Sequence, residues 1–550
     1  MEMCRKFCYN SKGIQKKEAE KVKRFVCVML IFVLLLCSAC SKDTVVSMSF
    51  AVRETAGSFD PQIAENATTN IIVKNCFEGL VRYDENGEIV PALATKWTVS
   101  EDSLTYTFYL RENAVWHMTN NAKKQLEEKL PEDFSLEVTA FDFEFALKRA
   151  VDPSMGAKNA SLLKNIANAS AIIAGKGSPD SLGVKATDKH TLVITLSQPQ
   201  SNFLNVLTES ICMPCNETFF EACGGRYGMF IKYFISNGPF YISYFDEKSY
   251  RLTKSADYTG ENIPQSDVLW FYIKPDSAEL VSILQEHQYS GVYLSELEFS
   301  KLKTDRKMTV LEIKDVSRCF VLNTKNEFLS DINIRLAFMS VIDSESLSQS
   351  NSKTVSGILP AALGEEMAVS SFYKPEKAMD YLKKGLERLK RDDISVSVLT
   401  PYEYEESLKI ALQKWQQALS VNMIIAVEAV SEAELVSRVK KGEYDIAFYP
   451  LRAETPCAED FFSAFSSLSD NNIIGLEDEG YERLVNSLYS ASEASQMDVL
   501  KKIQKKLLNT ATVIPVWSES TYFVCTQDAR GVIALPGEEN LYLFNATDVK

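Results

Sequence analysis

Apolar positions alternate with polar ones from Val45 to Val52, and the short run Tyr106–Leu110 has the same two-residue period. Both predict strands, as does Thr191–Leu196 after the turn-forming Asp188-Lys-His190. Elsewhere the period is helical. Phe141 to Val151 sets Phe141, Phe145, Leu147 and Ala150 near one face and stops at Asp152-Pro153, where proline ends a helix. Pro375 to Leu389 carries Ala378, Tyr381, Leu382 and Leu386 on one stripe, with proline in its first turn. Leu408–Leu419 repeats this pattern and is followed by a strand-like Asn422–Glu428, so helix-then-strand order after residue 318 predicts an α/β lobe. Lys123 to Glu137 is charged and aperiodic, which predicts a surface insertion. There is no internal repeat and no long Pro/Ser linker, so the lobes are expected to interleave.

A chain of 550 residues, 46% of them hydrophobic, is too long for one core and predicts two or three domains. Charge divides it unevenly. Residues 1–39 hold eight Lys/Arg against three Asp/Glu, which leaves 51 basic and 71 acidic residues for the rest. An acidic body is a poor match to phosphates, so nucleic acid is excluded as a partner. The basic stretch Arg5–Arg24 precedes an apolar run, Phe25–Leu36, whose twelve residues give roughly 18 Å of helix against a hydrocarbon core of ~30 Å. A cationic segment, a short apolar run and then small residues are the layout of a cleaved export signal over residues 1–39. The junction Leu36-Cys-Ser-Ala-Cys40 resembles a bacterial lipobox, with Cys37 where leucine is usual, so Cys40 is expected to be lipidated and residues 40–45 to tether the body to the membrane. An uncleaved anchor or a plain secretory signal is the alternative. Either way the body lies outside the cytoplasmic membrane.

Seven cysteines follow Cys40, an odd and scattered set that implies no disulfide framework. Cys212-Met-Pro-Cys215 has redox or zinc-knuckle spacing, but no second pair or nearby histidine accompanies it, so a structural role or a local 212–215 pair is expected. The three histidines, His117, His190 and His287, form no metal-binding spacing, and no metal or cofactor is expected. Absence of G-x-S-x-G, a P-loop and G-x-G-x-x-G removes the common hydrolase, NTPase and dinucleotide signals. A carboxylate-pair glycosidase stays open, since sequence cannot show such a pair.

More specific are Phe77-Glu-Gly-Leu-Val81, Pro91-Ala-Leu-Ala-Thr-Lys-Trp97 and Tyr106–Trp116, followed by Val138-Thr-Ala-Phe-Asp-Phe143, Arg149 and Asp152-Pro153. Ile172–Lys176, Leu182–Ala186, Asn237-Gly-Pro-Phe-Tyr241, Arg335-Leu-Ala-Phe338, Ile342-Asp343 and Ile514-Pro-Val516 continue the series. Together, in this order from about Asp60-Pro61 to Gly531, they resemble the family-5 extracellular solute-binding proteins, the oligopeptide- and dipeptide-binding components of ABC importers. The resemblance implies an α/β fold, periplasmic-binding-protein-like class II (cluster C), of three interleaved lobes. Residues 46–76, 216–317 and 519–550 would form the first, 77–215 the second and 318–518 the third. A peptide would lie in a cleft between the first and third lobes, held by strand-like backbone hydrogen bonds. The implied protein is a non-catalytic, lipid-anchored receptor that passes peptides to importer permease subunits.

The resemblance also supplies site candidates. Glu65 follows Asp60-Pro61 by four positions, where oligopeptide binders carry an acidic residue. Glu454 falls at the aspartate that pairs with the peptide amine, with Leu451 and Thr455 replacing that segment's tryptophan and tyrosine. Asn159 replaces a tyrosine that lines the pocket in some relatives. Pro450 and Arg452 replace residues whose backbone bonds the ligand, and proline removes a donor there. Arg452 is expected either to pair with Glu454 or to face an anionic group. A binder of a sugar or another small molecule, or a sensor of signalling peptides, shares the fold and remains open.

Overall fold

The computed structural model describes residues 45–550 other than 262, 344–346, 348–356, 365–366, 368–371, 420–421, 454, 468, 470–471, 492, 538–539 and 550. The export segment, Cys40 and Glu454 therefore lie outside the described residues. Among the described residues no helix is long and apolar enough to cross a membrane.

The alternating N-terminal stretch becomes β1 (Ser47–Val52), which is parallel to β4 (Val268–Ile273) in a large mixed sheet. That sheet also contains β2 (Phe240–Phe245), β3 (Ser249–Lys254), β5 (Gly291–Ser295), β6 (Met308–Leu322), β7 (Asp393–Pro401), β8 (Asn422–Val430), β9 (Ile446–Arg452) and β10 (Val513–Thr526). Its order is β2-β3-β4-β1-β5-β10-β6-β9-β7-β8. The two longest strands, β6 and β10, pair antiparallel at the centre, and their register shifts between Ile313 and Val316 and again between Arg318 and Cys319. One hydrophobic core, with Phe50, Trp116, Phe143 and Phe271, draws almost wholly on residues before 300 and after 520. A second, with Phe320, Trp415, Phe448 and Leu507, lies wholly between 319 and 517. Each core abuts one half of the sheet, and the long strands connect the halves.

A four-stranded antiparallel sheet, ordered Ala94–Val99, Thr105–Leu110, Thr191–Thr195, Val184–Asp188, carries the other predicted strands. Helix α1 (Ala140–Val151) contacts its edge. The helix starts in a capping box, with the Thr139 N–H donating to Asp142 Oδ2 at 2.7 Å, and ends before Pro153. Its buried stripe differs from the expected one. Phe143, Ala146, Leu147, Ala150 and Val151 face the core, whereas Phe141 is 52% exposed. The i, i+3, i+4, i+7, i+8 set centred on Phe143 buries a continuous apolar strip, which a strip containing Phe141 would not. Lys123–Glu137 is mostly exposed as expected, but it begins within a two-turn helix, Asn120–Leu126, pinned by buried Ala122 and Leu126. Helices α2 (Pro375–Leu389) and α3 (Glu405–Leu419) match the predicted stripes, burying Ala378, Leu382, Leu386, Leu408, Leu412 and Trp415.

Several motif residues act as joints. Asn237 donates from Nδ2 to the Glu78 carbonyl at 2.8 Å and accepts the Glu78 N–H at 3.1 Å. The adjacent Gly238 N–H reaches the Cys76 carbonyl at 2.8 Å, and a Cβ at Gly238 would lie 2.6 Å from that group, so only glycine permits the approach. Arg335 donates to the carbonyls of Leu329 and Thr510. Cys212 and Cys215 form no disulfide with each other, nor does any of the seven described cysteines. The Cys212 thiol donates to the Val206 carbonyl and Cys215 Sγ accepts from Arg149, and burial pushes the Cys215 thiol up to about 12. Both are structural. Each histidine meets a different carboxylate (His117–Asp257, His190–Glu137, His287–Asp305), and among the described residues no cluster could hold a metal ion.

Candidate functional site

A cavity of about 200 Å³ opens against the second half of β9. Its lining includes Asn159, Lys164, Gln200 and Glu209 from the first half of the chain, and Tyr449–Arg452, Thr455, Asp460 and Tyr489 from the second. β9 pairs with β6 along its whole length but with its parallel neighbour β7 only at Ile446 and Ala447. The strand therefore runs past β7 into the cavity. Ala453 N–H bonds the Asp315 carbonyl on the β6 side, so by antiparallel alternation Pro450 and Arg452 turn their backbone toward the other edge. Pro450 offers a carbonyl there and no N–H.

Tyr449, Phe461, Phe465 and Tyr489 supply aromatic surface, and charged groups divide the rest. Lys164, Lys440 and Arg452 bring positive charge. Burial depresses the Lys164 ammonium, against the opposing fields of Glu482 and Asp460. Arg452 Nη2 pairs with Glu432 Oε1 at 2.5 Å and its Nη1 reaches Thr521 Oγ1 at 3.4 Å. Glu432, at the start of α4 (Glu432–Lys440), also meets Arg318 at 3.3 Å, and Arg318 binds Glu519 at 2.7 and 2.9 Å. Burial would raise the Glu432 carboxyl, but Arg318 and Arg452 overcome it and hold the group down to about 2. This chain of charges joins the cavity wall to the central strands β6 and β10.

Glu209 and Asp460 provide negative charge. Asp460, in α5 (Ala458–Ser463), accepts from Asn202 Nδ2 at 2.9 Å and Thr455 Oγ1 at 2.8 Å. Burial, with the like charges of Glu459 and Glu209, pushes its carboxyl up to about 7 despite those two hydrogen bonds.

The sequence candidates divide. Asn159, Leu451 and Arg452 line the cavity. Glu65 does not line it; the residue is exposed and ion-paired to Lys158, the neighbour of Asn159. Arg452 forms an ion pair with Glu432, and its expected pairing with Glu454 lies outside the described residues. Sequence reasoning missed Lys164, Glu209 and Asp460. A signal was present: each is a charge set in an apolar run, Leu162-Leu-Lys164, Val206-Leu-Thr-Glu-Ser-Ile211 and Glu459-Asp-Phe-Phe462, where burial demands a partner.

A strand running out of a split sheet into a charged chamber defines a solute-binding protein of the periplasmic-binding-protein class. The family model described as bacterial extracellular solute-binding proteins, family 5 Middle, matches residues 88–472, and the chain belongs to that family. It is 28% identical over 500 residues to the dipeptide-binding protein DppE of Bacillus subtilis, covering 87% of this chain and 88% of the relative. The Haemophilus influenzae OppA structure in complex with RPPGFSPFR superposes with a TM-score of 0.76 at 22% identity, covering 92% of this chain and 99% of that one. Escherichia coli murein tripeptide binding protein MppA gives 0.75 at 21% identity, covering 92% and 100%, but its unliganded open form gives only 0.64 at 22%, covering 92% and 99%. The family is non-catalytic, and this chain is an extracytoplasmic solute-binding protein rather than an enzyme.

Proposed function

We propose that the protein captures oligopeptides outside the cytoplasmic membrane and hands them, unaltered, to the permease of an ABC importer. The observation that carries this reading is the course of β9. Its second half lies along the cavity beyond the end of β7, so an extended peptide could continue the sheet there by backbone hydrogen bonds, which are indifferent to side chains. Aromatic surface and charges of both signs suit a zwitterionic chain with varied side chains. The names of the dipeptide- and oligopeptide-binding relatives support the same substrate class.

In this reading Leu451 and Asn159 are contact walls, Arg452 presents backbone and a steered guanidinium, Glu65 adds negative charge beside the chamber, and Glu454 is assigned to the ligand by its position in the family pattern alone. Residues 46–76, 216–317 and 519–550 move as one lobe, 77–215 as a second and 318–518 as a third, with β6 and β10 carrying the bend between the first and third. Closure follows from tighter binding of peptide to the closed arrangement. Lipidated Cys40 keeps the receptor beside its importer. A thermal-shift series on the whole protein tests the substrate class. A peptide at 100 times its dissociation constant adds about 2.7 kcal/mol of unfolding free energy and so raises Tm. Stabilisation by sugars with none by peptides of two to eight residues would contradict the proposal.

A further inference from the structure

Two carboxylates of the cavity lining, Glu209 and Asp460, act on each other, and Glu459, next to Asp460, acts on it as well. Glu209 and Glu459 are 7% and 5% exposed. Most of the groups that serve them are neutral. Asp460 accepts from Asn202 and Thr455, and Glu459 Oε1 accepts from Ser201 Oγ at 3.2 Å and Gln496 Nε2 at 2.6 Å. Lys74 Nζ approaches Glu209 Oε2 at 3.2 Å and is shared with Asn540 Oδ1 at 2.6 Å. Glu209 Oε1 is inaccessible to solvent and accepts no hydrogen bond among the described residues. Tyr83, Tyr489 and Cys457 flank the cluster, and burial raises all three, which keeps them neutral. Lys164 acts on Asp460 only through its field; no hydrogen bond or ion pair joins them. Among the described residues Lys74 is the one cation that touches any of these three carboxylates, and of the three it touches Glu209 alone, so this region is short of positive charge. A desolvated carboxylate without a cation is costly.

We infer that Glu209 and Asp460 together form the receptor for an alkylammonium group of the ligand. The inference rests on the peptide reading and sharpens it. A primary ammonium has three N–H donors, and the carboxylates of Glu209 and Asp460, both in the cavity lining, are charge-assisted acceptors for it. The ammonium comes either from the peptide N-terminus or from a lysine side chain, and both present the same chemistry. Asp460 lies six residues beyond Glu454, so the receptor is distinct from the position that family resemblance singles out.

Calorimetric titration of the whole protein at pH 7.5 tests this with three probes: tetraalanine, N-acetyl-tetraalanine and N-acetyl-Ala-Lys-Ala-Ala. Asp460→Asn and Glu209→Gln keep the shape of the side chains, and circular dichroism checks that both variants fold. Wild type is expected to prefer one ammonium-bearing probe over N-acetyl-tetraalanine by roughly 10- to 100-fold, the range for a hydrogen bond to a charged group. Preference for tetraalanine identifies the N-terminus as the source, and preference for the lysine probe identifies the side chain. Each variant is expected to reduce that preference, read as the ratio of the two affinities, to about twofold. Unchanged preference in both variants overturns the inference while leaving the peptide reading intact, as does a preference abolished by Glu454→Gln but by neither of them. Equal losses for all three probes reduce the pair to a structural role and also overturn it. If wild type binds none of the probes, the peptide reading fails and takes the inference with it.

Discussion

Two buried carboxylate sites in this molecule differ in how their charge is met. At the first, Arg149 Nη2 binds Asp60 Oδ2 at 2.6 Å, and Nη1 binds Gln62 Oε1 at 2.7 Å and Cys215 Sγ at 3.1 Å. The guanidinium lies 4.0 Å from the centre of the Phe220 ring, and Gln62 Nε2 continues to the Met213 carbonyl at 2.8 Å. Burial raises the Asp60 carboxyl, and Arg149 pulls it back. One carboxylate meets one guanidinium, and the unit joins α1, the Asp60 turn and the 211–215 loop. At the second, beside a cavity, Lys74 touches Glu209, while Glu459 and Asp460 have only neutral hydrogen-bond partners among the described residues. A charge matched within the chain holds the scaffold together. A charge left unmatched at a cavity wall is poised for something the chain does not supply.

The largest effect should come from breaking the matched site. Arg149→Leu strands Asp60 in the core and is expected to cost about 3–5 kcal/mol, read from urea unfolding of the whole protein. Peptide affinity of the molecules that remain folded should not change. If stability hardly moved, the first site would not be the joint described.

Titration sharpens the contrast at the second site. With Asp460 raised to about 7, a free-amine peptide should bind more tightly as pH rises from 5.5 to 8, because the ionised carboxylate is the form that attracts an ammonium. Without ligand the sign for stability is opposite. The folded state holds this proton where the unfolded state has lost it, so the Asp460 contribution is full below pH about 4 and fades as pH rises through about 7. Asp460→Asn should flatten both slopes relative to wild type. A smaller effect is expected on the strand itself. Pro450→Ala restores an N–H on the cavity side of β9 and should tighten acetylated peptides by about 0.5–1.5 kcal/mol, measured by calorimetry. No change would mean that the ligand does not run along that edge.

The contrast also explains what was legible in the sequence. Phe77-Glu-Gly, Arg149, Asn237-Gly and Arg335 were readable because each serves a local geometric need: a close backbone approach, a buried ion pair or a cluster of carbonyls to satisfy. The stripe of α2 was equally readable, since Ala378, Leu382 and Leu386 recur at a helical period. Phe141 misled because one large apolar side chain outweighed the continuous strip that actually faces the core. The cavity was harder to find. Lys74, Glu209 and Asp460 lie far apart in the chain, and their mutual charge balance exists only once the lobes are assembled. Leu451, Arg452 and Asn159 were reached through the family pattern, whereas Glu432, which pairs with Arg452 of strand β9, comes from helix α4.

The central claim, that the chamber beside β9 encloses an intact peptide, is tested most directly by native mass spectrometry. The whole protein would be equilibrated with an equimolar mixture of free-amine peptides of two to eight residues, and bound species ejected and weighed. The account predicts one peptide per protein, released at its full original mass. Adducts absent at every peptide length, or peptides recovered as fragments, would contradict it.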